Sequence, residues 1–127
     1  MSVHIEWDNE ERTTILWSFL GRWTWGEFDD TVKTMTAMAD SAAHSVDLII
    51  DVGQMSILPA DIVTHVKLKY LEKSKNIGRM IAVGVDSHLQ LFWNTFTELP
   101  YARHLKLTFF DTLEEARAYL ALHRNDA

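Results

Sequence analysis

The 127-residue chain contains no cysteine. That single absence excludes disulfide scaffolds, thiol catalysis, zinc ribbons and iron–sulfur clusters. Long apolar runs are also missing. None approaches the ~20 residues that a membrane helix requires, and Leu48-Ile49-Ile50 reads as a strand core. The opening residues, Met1-Ser2-Val3-His4-Ile5-Glu6, have neither a basic region nor an apolar stretch, so no secretory signal is expected and the cytoplasm is the default. With two prolines and five glycines there is no Pro/Gly/Ser-rich linker, and neither a repeat nor a low-complexity tract. One domain over residues 1–127 is therefore expected, with only Arg124 to Ala127 as a loose end. Positive charge is in deficit: 12 Lys and Arg against 18 Asp and Glu give a net charge of −6. A generic nucleic-acid binder is more often basic, so that class is disfavoured.

Catalytic signatures are equally scarce. There is no Gly-x-Gly-x-x-Gly, no phosphate-binding Gly-Lys-Ser/Thr and no Gly-x-Ser-x-Gly elbow. The six histidines, His4, His44, His65, His88, His104 and His123, show no i,i+4 pair and no His-Glu-x-x-His run. A metal site needs convergent ligands, and the expectation is no enzyme, no metal and no cofactor.

What is present is ordinary globular usage, 47% hydrophobic and 24% charged, with an aromatic load of five Trp and six Phe. A chain of this size buries roughly two-thirds of its unfolded surface, enough for a core without covalent staples. Val3 to Trp7 and Thr13 to Phe19 read as two strands joined by the polar loop Asp8–Arg12, a hairpin. Thr24 and Glu27 form a capping box, with Trp23 and Phe28 at the staple positions. The apolar stripe Trp25, Phe28, Val32, Met35, Ala39, Ala42 then predicts a helix ending near Ala43. Val46 to Val52 is nearly continuously apolar, the mark of a strand buried on both faces. Pro59 suits the first turn of a second helix with Ile62, Val63, Val66 and Tyr70 inward, closed by Asn76 and Gly78. Met80 to Val85 is another strand. Ser87 and Gln90 predict a capping box for a third helix through about Leu99. Leu105 to Phe110 is the last strand, and Thr112 with Glu115 opens a final helix carrying Leu113, Ala116 and Leu120 inward. The fold class is α/β, in the order ββαβαβαβα. A mainly parallel sheet with an N-terminal antiparallel hairpin and helices packed on it is expected.

Gly21-Arg22-Trp23-Thr24-Trp25 enters the first helix. Leu48-Ile49-Ile50-Asp51 ends a central strand, and Phe110-Asp111-Thr112-Leu113-Glu114-Glu115-Ala116 enters the last helix. With this element order, these stretches resemble the STAS domain, the fold of bacterial anti-sigma factor antagonists and of the cytoplasmic domain of sulfate transporters. The nearer likeness is to the SpoIIAA-like proteins, small stand-alone domains also labelled STAS/SEC14. The resemblance covers nearly the whole chain and implies a non-catalytic bacterial regulatory or protein-interaction domain. Its SEC14 side implies an alternative, a module for a small apolar or lipid-like ligand. In the antagonist branch an Asp-Ser pair opens the helix after the Asp-ending strand, and a partner kinase phosphorylates the Ser. Here Pro59-Ala60 occupies that place, and Ala60 has no hydroxyl. Ser56 lies earlier in the loop. Regulatory phosphorylation at this helix start is therefore not expected.

Three side-chain groups are candidates for function, each with a plainer structural reading beside it. Asp51, Asp86 and Asp111 follow three successive strands at the carboxyl edge, where open parallel sheets bind ligands. Together they would serve an enzyme with a carboxylate or metal site. As a structural pair, Asp86 and Asp111 favour the helix starts they precede. Lys67, Lys69, Lys73, Lys75 and Arg79 make a basic patch suited to an acidic partner, or else a solvated helix face. Leu89, Phe92, Trp93, Phe96 and Leu99 spread over a wide arc of the third helix, with Leu91 on its far side. A helix on a sheet buries only about a 100° stripe. Leu91, Phe92, Trp93 and Phe96, with Trp23 and Trp25, are thus candidates for a homodimer interface or a ligand pocket, against the plainer reading of core.

Overall fold

The computed structural model describes residues 2–55, 76–87, 90, 91, 94 and 107–123. The elements in chain order are β1 (Val3–Trp7), β2 (Thr14–Gly21), α1 (Trp25–Ser41), β3 (Val46–Met55), β4 (Ile77–Val83), β5 (Thr108–Phe110) and α2 (Leu113–His123). Ser87, Gln90, Leu91 and Asn94 are also helical. The expected second helix lies outside the described residues. The strands form one sheet in the order β1-β2-β3-β4-β5. β1 and β2 are antiparallel, and every later pairing is parallel. This is the mixed α/β sheet with a terminal hairpin that the element order implies.

Alternation along β3 builds two cores. Val46, Leu48 and Ile50 face α1 and join Ile15, Trp17, Phe19, Phe28, Met35 and Ala39. Ile49 points the other way and joins Leu16, Ile81, Val83, Ala116 and Leu120 beneath α2. Successive strand side chains project to opposite faces, so a strand apolar at consecutive positions needs a cover on each side.

The predicted capping boxes at both ends of the chain form. Thr24 Oγ1 accepts from the Glu27 amide at 3.2 Å, and Thr112 Oγ1 accepts from the Glu115 amide at 3.2 Å. The third helix differs. The Gln90 amide donates to the carbonyl of Asp86 at 3.0 Å, so Asp86 rather than Ser87 stands at the cap. Asp and Ser rank alike as cap residues, so the local sequence does not choose between these two neighbours. Two other expectations are corrected. Gly78 closes no helix: it lies in β4. β3 also runs on to Met55, so Asp51 sits inside the strand rather than at its end.

Asn76 has a role that local sequence does not announce. Its side-chain amide donates to the carbonyls of Ala39 at 2.6 Å and His44 at 2.7 Å, while its own carbonyl accepts from the Val46 amide at 2.9 Å. It thereby satisfies carbonyls that the end of α1 leaves free and sets where β3 and β4 begin. At the same amino end of the parallel strands, Arg117 donates two hydrogen bonds, at 3.0 and 2.7 Å, to Asp8 and clips the hairpin turn to α2.

Within the α1 core, the Trp17 indole N–H donates to Thr31 Oγ1 at 2.9 Å, and that hydroxyl donates to the Phe28 carbonyl at 2.9 Å. Both side chains are buried. Thr31→Val keeps the shape and removes the acceptor. It is expected to lower unfolding free energy by about 1–3 kcal/mol, the cost of an orphaned buried donor. Thr31→Ser, which keeps the hydroxyl, is expected to lose less in the same urea titration.

Candidate functional site

The carboxyl edge of the parallel strands is shaped by two glycines. Along β3 and β2 the register slips between Ser18 opposite Asp51 and Leu20 opposite Gln54. The extra β3 residue falls at Val52-Gly53, where the Gly53 amide donates to Asp51 Oδ1 at 3.0 Å. Gly84, just past β4, has φ +76°, and a Cβ on it would meet Gly53 Cα at 2.5 Å. Its amide donates to the Phe110 carbonyl at 3.0 Å. The two backbones therefore approach as only glycine permits.

The three predicted acids lie along this edge. The Asp51 carboxylate holds the bulge amide, the backbone carbonyl of Asp86 accepts the first helical bond after β4, and Asp111 precedes the cap of α2. Asp86 and Asp111 are exposed. Among the described residues no three His, Asp or Glu side chains gather where they could hold a metal ion.

At the β2 end of the same edge is an aromatic corner. Trp23 stacks near Phe28, with ring centres 5.9 Å apart, and meets Phe19 at 4.9 Å and Trp25 at 5.0 Å. Trp25 packs edge-on against Phe28 at 5.2 Å. Trp23 is only 8% exposed, part of the α1 core, while Trp25 is half-buried. The Trp23 indole N–H is buried and has no hydrogen-bond partner among the described residues. Next to this corner, Glu27 binds the chain's first strand. Its carboxylate accepts from the Ser2 amide at 2.8 Å. That bond, followed by those from the Thr24 and Val3 amides, holds the Glu27 carboxyl below its ordinary value of 4.5.

The other candidates divide. Leu91 is 66% exposed, outside the buried stripe as its angular position implies. Phe92, Trp93 and Phe96 lie outside the described residues, as do Lys67, Lys69, Lys73 and Lys75. Arg79 belongs to β4. A hollow of about 230 Å³ between Asp8, Asn9, Thr14, Arg117, Leu120 and Ala121 lies at the amino edge, with no aromatic lining. It is smaller than the ~300 Å³ at which ligand pockets begin.

Asp47 was missed as a structural residue. It is 7% exposed, and its Oδ1 accepts from the Arg79 amide at 2.9 Å, where β4 carries one residue more than β3. The only signal was an acid interrupting an apolar run.

Two outcomes follow from this edge. Gly84→Ala adds left-handed backbone strain and a backbone clash. The expected loss is about 2–4 kcal/mol, whereas Gly26→Ala, with open space, stays within about 1 kcal/mol. Denaturant midpoints distinguish them. For Glu27, a lowered folded-state value means that its contribution is full above pH 4.5 and fades as pH falls through the folded value. The stability gap between the natural chain and Glu27→Gln should accordingly shrink in urea titrations as pH is lowered from about 7 to about 3.

No protein-family model matches the sequence, and a search of curated proteins found no match. Among solved structures, the chain is similar to the anti-sigma factor antagonist SpoIIAA in its unphosphorylated form. The sequences are 13% identical, the likeness covers 94% of this chain and 97% of that one, and the TM-score is 0.63. The fold of this chain is thus STAS-like over nearly its whole length.

Proposed function

We propose that this chain is a non-catalytic, regulatory protein-interaction domain of the SpoIIAA-like kind, and that its partner docks across the carboxyl edge of the sheet. The observation that carries the reading is the likeness to an anti-sigma factor antagonist over 94% of the chain. An antagonist of this sort acts by binding another protein rather than by transforming a substrate. The carboxyl edge suits such a role because crossover loops converge there. Asp86 and Asp111 give it an exposed acidic rim. The Asp51 carboxylate already holds the Gly53 amide, which favours a docking face over an acid–base site there.

The proposed regulation does not run through phosphate at position 60, because Ala60 lacks an acceptor oxygen. Adding or withdrawing the partner itself is the simpler control. The apolar-ligand alternative retains one supporting observation, the unpartnered indole N–H of Trp23 within an aromatic corner.

A photo-crosslinking residue placed at Asp86, at Asp111, or at exposed His44 on the opposite edge tests the reading in the native host. Asp86 and Asp111 should yield an adduct of one common mass, with none from His44. Equal adducts from His44, or none from the acidic rim, would remove the carboxyl-edge interface. An apolar small molecule retained by the purified protein in native mass spectrometry would favour the ligand module instead.

A further inference from the structure

β1 ends the sheet, and among the described residues nothing pairs with its outer edge. Which backbone groups face outward follows from the hairpin hydrogen bonds. The Leu20 amide donates to the Ser2 carbonyl, and the Asp8 amide donates to the Thr14 carbonyl. Antiparallel hydrogen-bonded pairs recur at every second residue, so His4 and Glu6 turn their N–H and C=O groups toward β2. Val3, Ile5 and Trp7 direct theirs outward. A free edge of this kind is a template for another strand.

Among the described residues this edge lacks several common protections. β1 contains neither proline nor lysine, and its register with β2 from Val3–Phe19 to Trp7–Ile15 has no bulge. Its side chains also divide cleanly. Val3, Ile5 and Trp7 pack on the α1 side, with Ile5 and Trp7 only partly buried, while His4 and Glu6 are exposed on the other face.

We propose that the outer edge of β1 pairs with the same edge of a second copy of this chain, antiparallel about Ile5, so that one sheet continues through both molecules. The pairing is independent of the partner reading above. The register is selected by charge. With the two-fold axis at Ile5, Val3 meets Trp7 of the other copy and Ile5 meets its equivalent, each pair able to exchange two main-chain hydrogen bonds. Between them, His4 lies directly opposite Glu6 of the other copy, and Glu6 opposite His4. These are the non-hydrogen-bonded positions, where opposed side chains come closest. An imidazole N–H can donate to the carboxylate in either protonation state. Moving the axis one residue toward the amino end sets His4 against His4, and one residue the other way sets Glu6 against Glu6. Within β1, the Ile5 register alone among these three sets opposite chemistries together; the Glu6 register brings His4 opposite Asp8 only with Glu6 against Glu6. It also extends the half-exposed Ile5 and Trp7 into a continuous apolar strip, as an isologous interface requires.

The test uses the full chain, tagged at its C-terminus so that β1 stays free. Sedimentation velocity across about 1 to 200 µM should show a concentration-dependent dimer, a range that brackets weak interface affinities. His4→Glu places like charges opposite each other twice and should raise the dimer dissociation constant at least about tenfold. The swap His4→Glu with Glu6→Lys restores opposite charges in the same register and should recover the dimer. Both positions are exposed, so circular dichroism should stay unchanged. Hydrogen exchange at the Ile5 amide should slow at high concentration in the natural chain and the swap, but not in His4→Glu. A chain that stays monomeric over the whole range overturns the proposal. So does a dimer that neither His4→Glu nor dilution to a fast-exchanging Ile5 amide affects, which would place the contact on another surface.

Discussion

The structure depends on one constraint: β3 has no polar face over its first half. Leu48, Ile49 and Ile50 are all buried although they point alternately to opposite sides of the sheet. Each such side chain loses about 1.5–3 kcal/mol if left in water, so both faces need a cover. α1 supplies it on one side and α2 contributes it on the other. β2 and β3 run parallel because the chain returns between them through α1, which lies on one face, and β4 pairs parallel on the other side of β3. The antiparallel β1 can then only be an edge.

Where polar residues interrupt this apolar frame, they answer to backbone irregularities. Asp47 is buried at the start of β3, against the Arg79 amide, where β4 carries an extra residue. Asp51 holds the Gly53 amide where β3 carries an extra residue against β2. A buried carboxylate without such a partner would be far costlier than a leucine. The two aspartates therefore mark the two places where the ladder loses step, and the second lies at the carboxyl edge. The same edge holds the Gly53–Gly84 contact and the start of α1. The opposite end is tied by Asn76 and by the Asp8–Arg117 pair, and the outer backbone of β1 is one of the sheet's two open hydrogen-bonding margins among the described residues.

Much of this was legible in the residues themselves. Thr24 with Glu27, Thr112 with Glu115, the stripe from Phe28 through Met35 to Ala39, and the apolar runs of β3 and β4 all act within four residues or by a simple period. Local chemistry suffices to place such elements, and the fold class follows from their order. The likeness to a STAS domain was legible for the same reason, since its carrying stretches are strand ends and helix starts. The candidate site was read less completely. The three carboxylates were visible, but as a possible catalytic group. The task of Asp51 at a bulge needed the strands in register. That the third helix is capped by Asp86 rather than Ser87 was not legible either, since neighbouring Asp and Ser rank alike as cap residues.

By itself, then, the sequence determined the starts of α1 and α2, the alternation that buries β3 on both sides, the hairpin and the mainly parallel order, all of which arise from residues near one another in the chain. Only the tertiary structure decided the registers, the two bulges, the burial of Asp47, the reach of Asn76 to Ala39 and His44, and the near-contact of Gly53 with Gly84. Each of these joins backbone segments about thirty residues apart. A one-residue slip in pairing would leave the composition and periodicity of every segment intact while turning its side chains to the wrong face. For that reason the final geometry is a property of the packed sheet and not of any stretch of sequence within it.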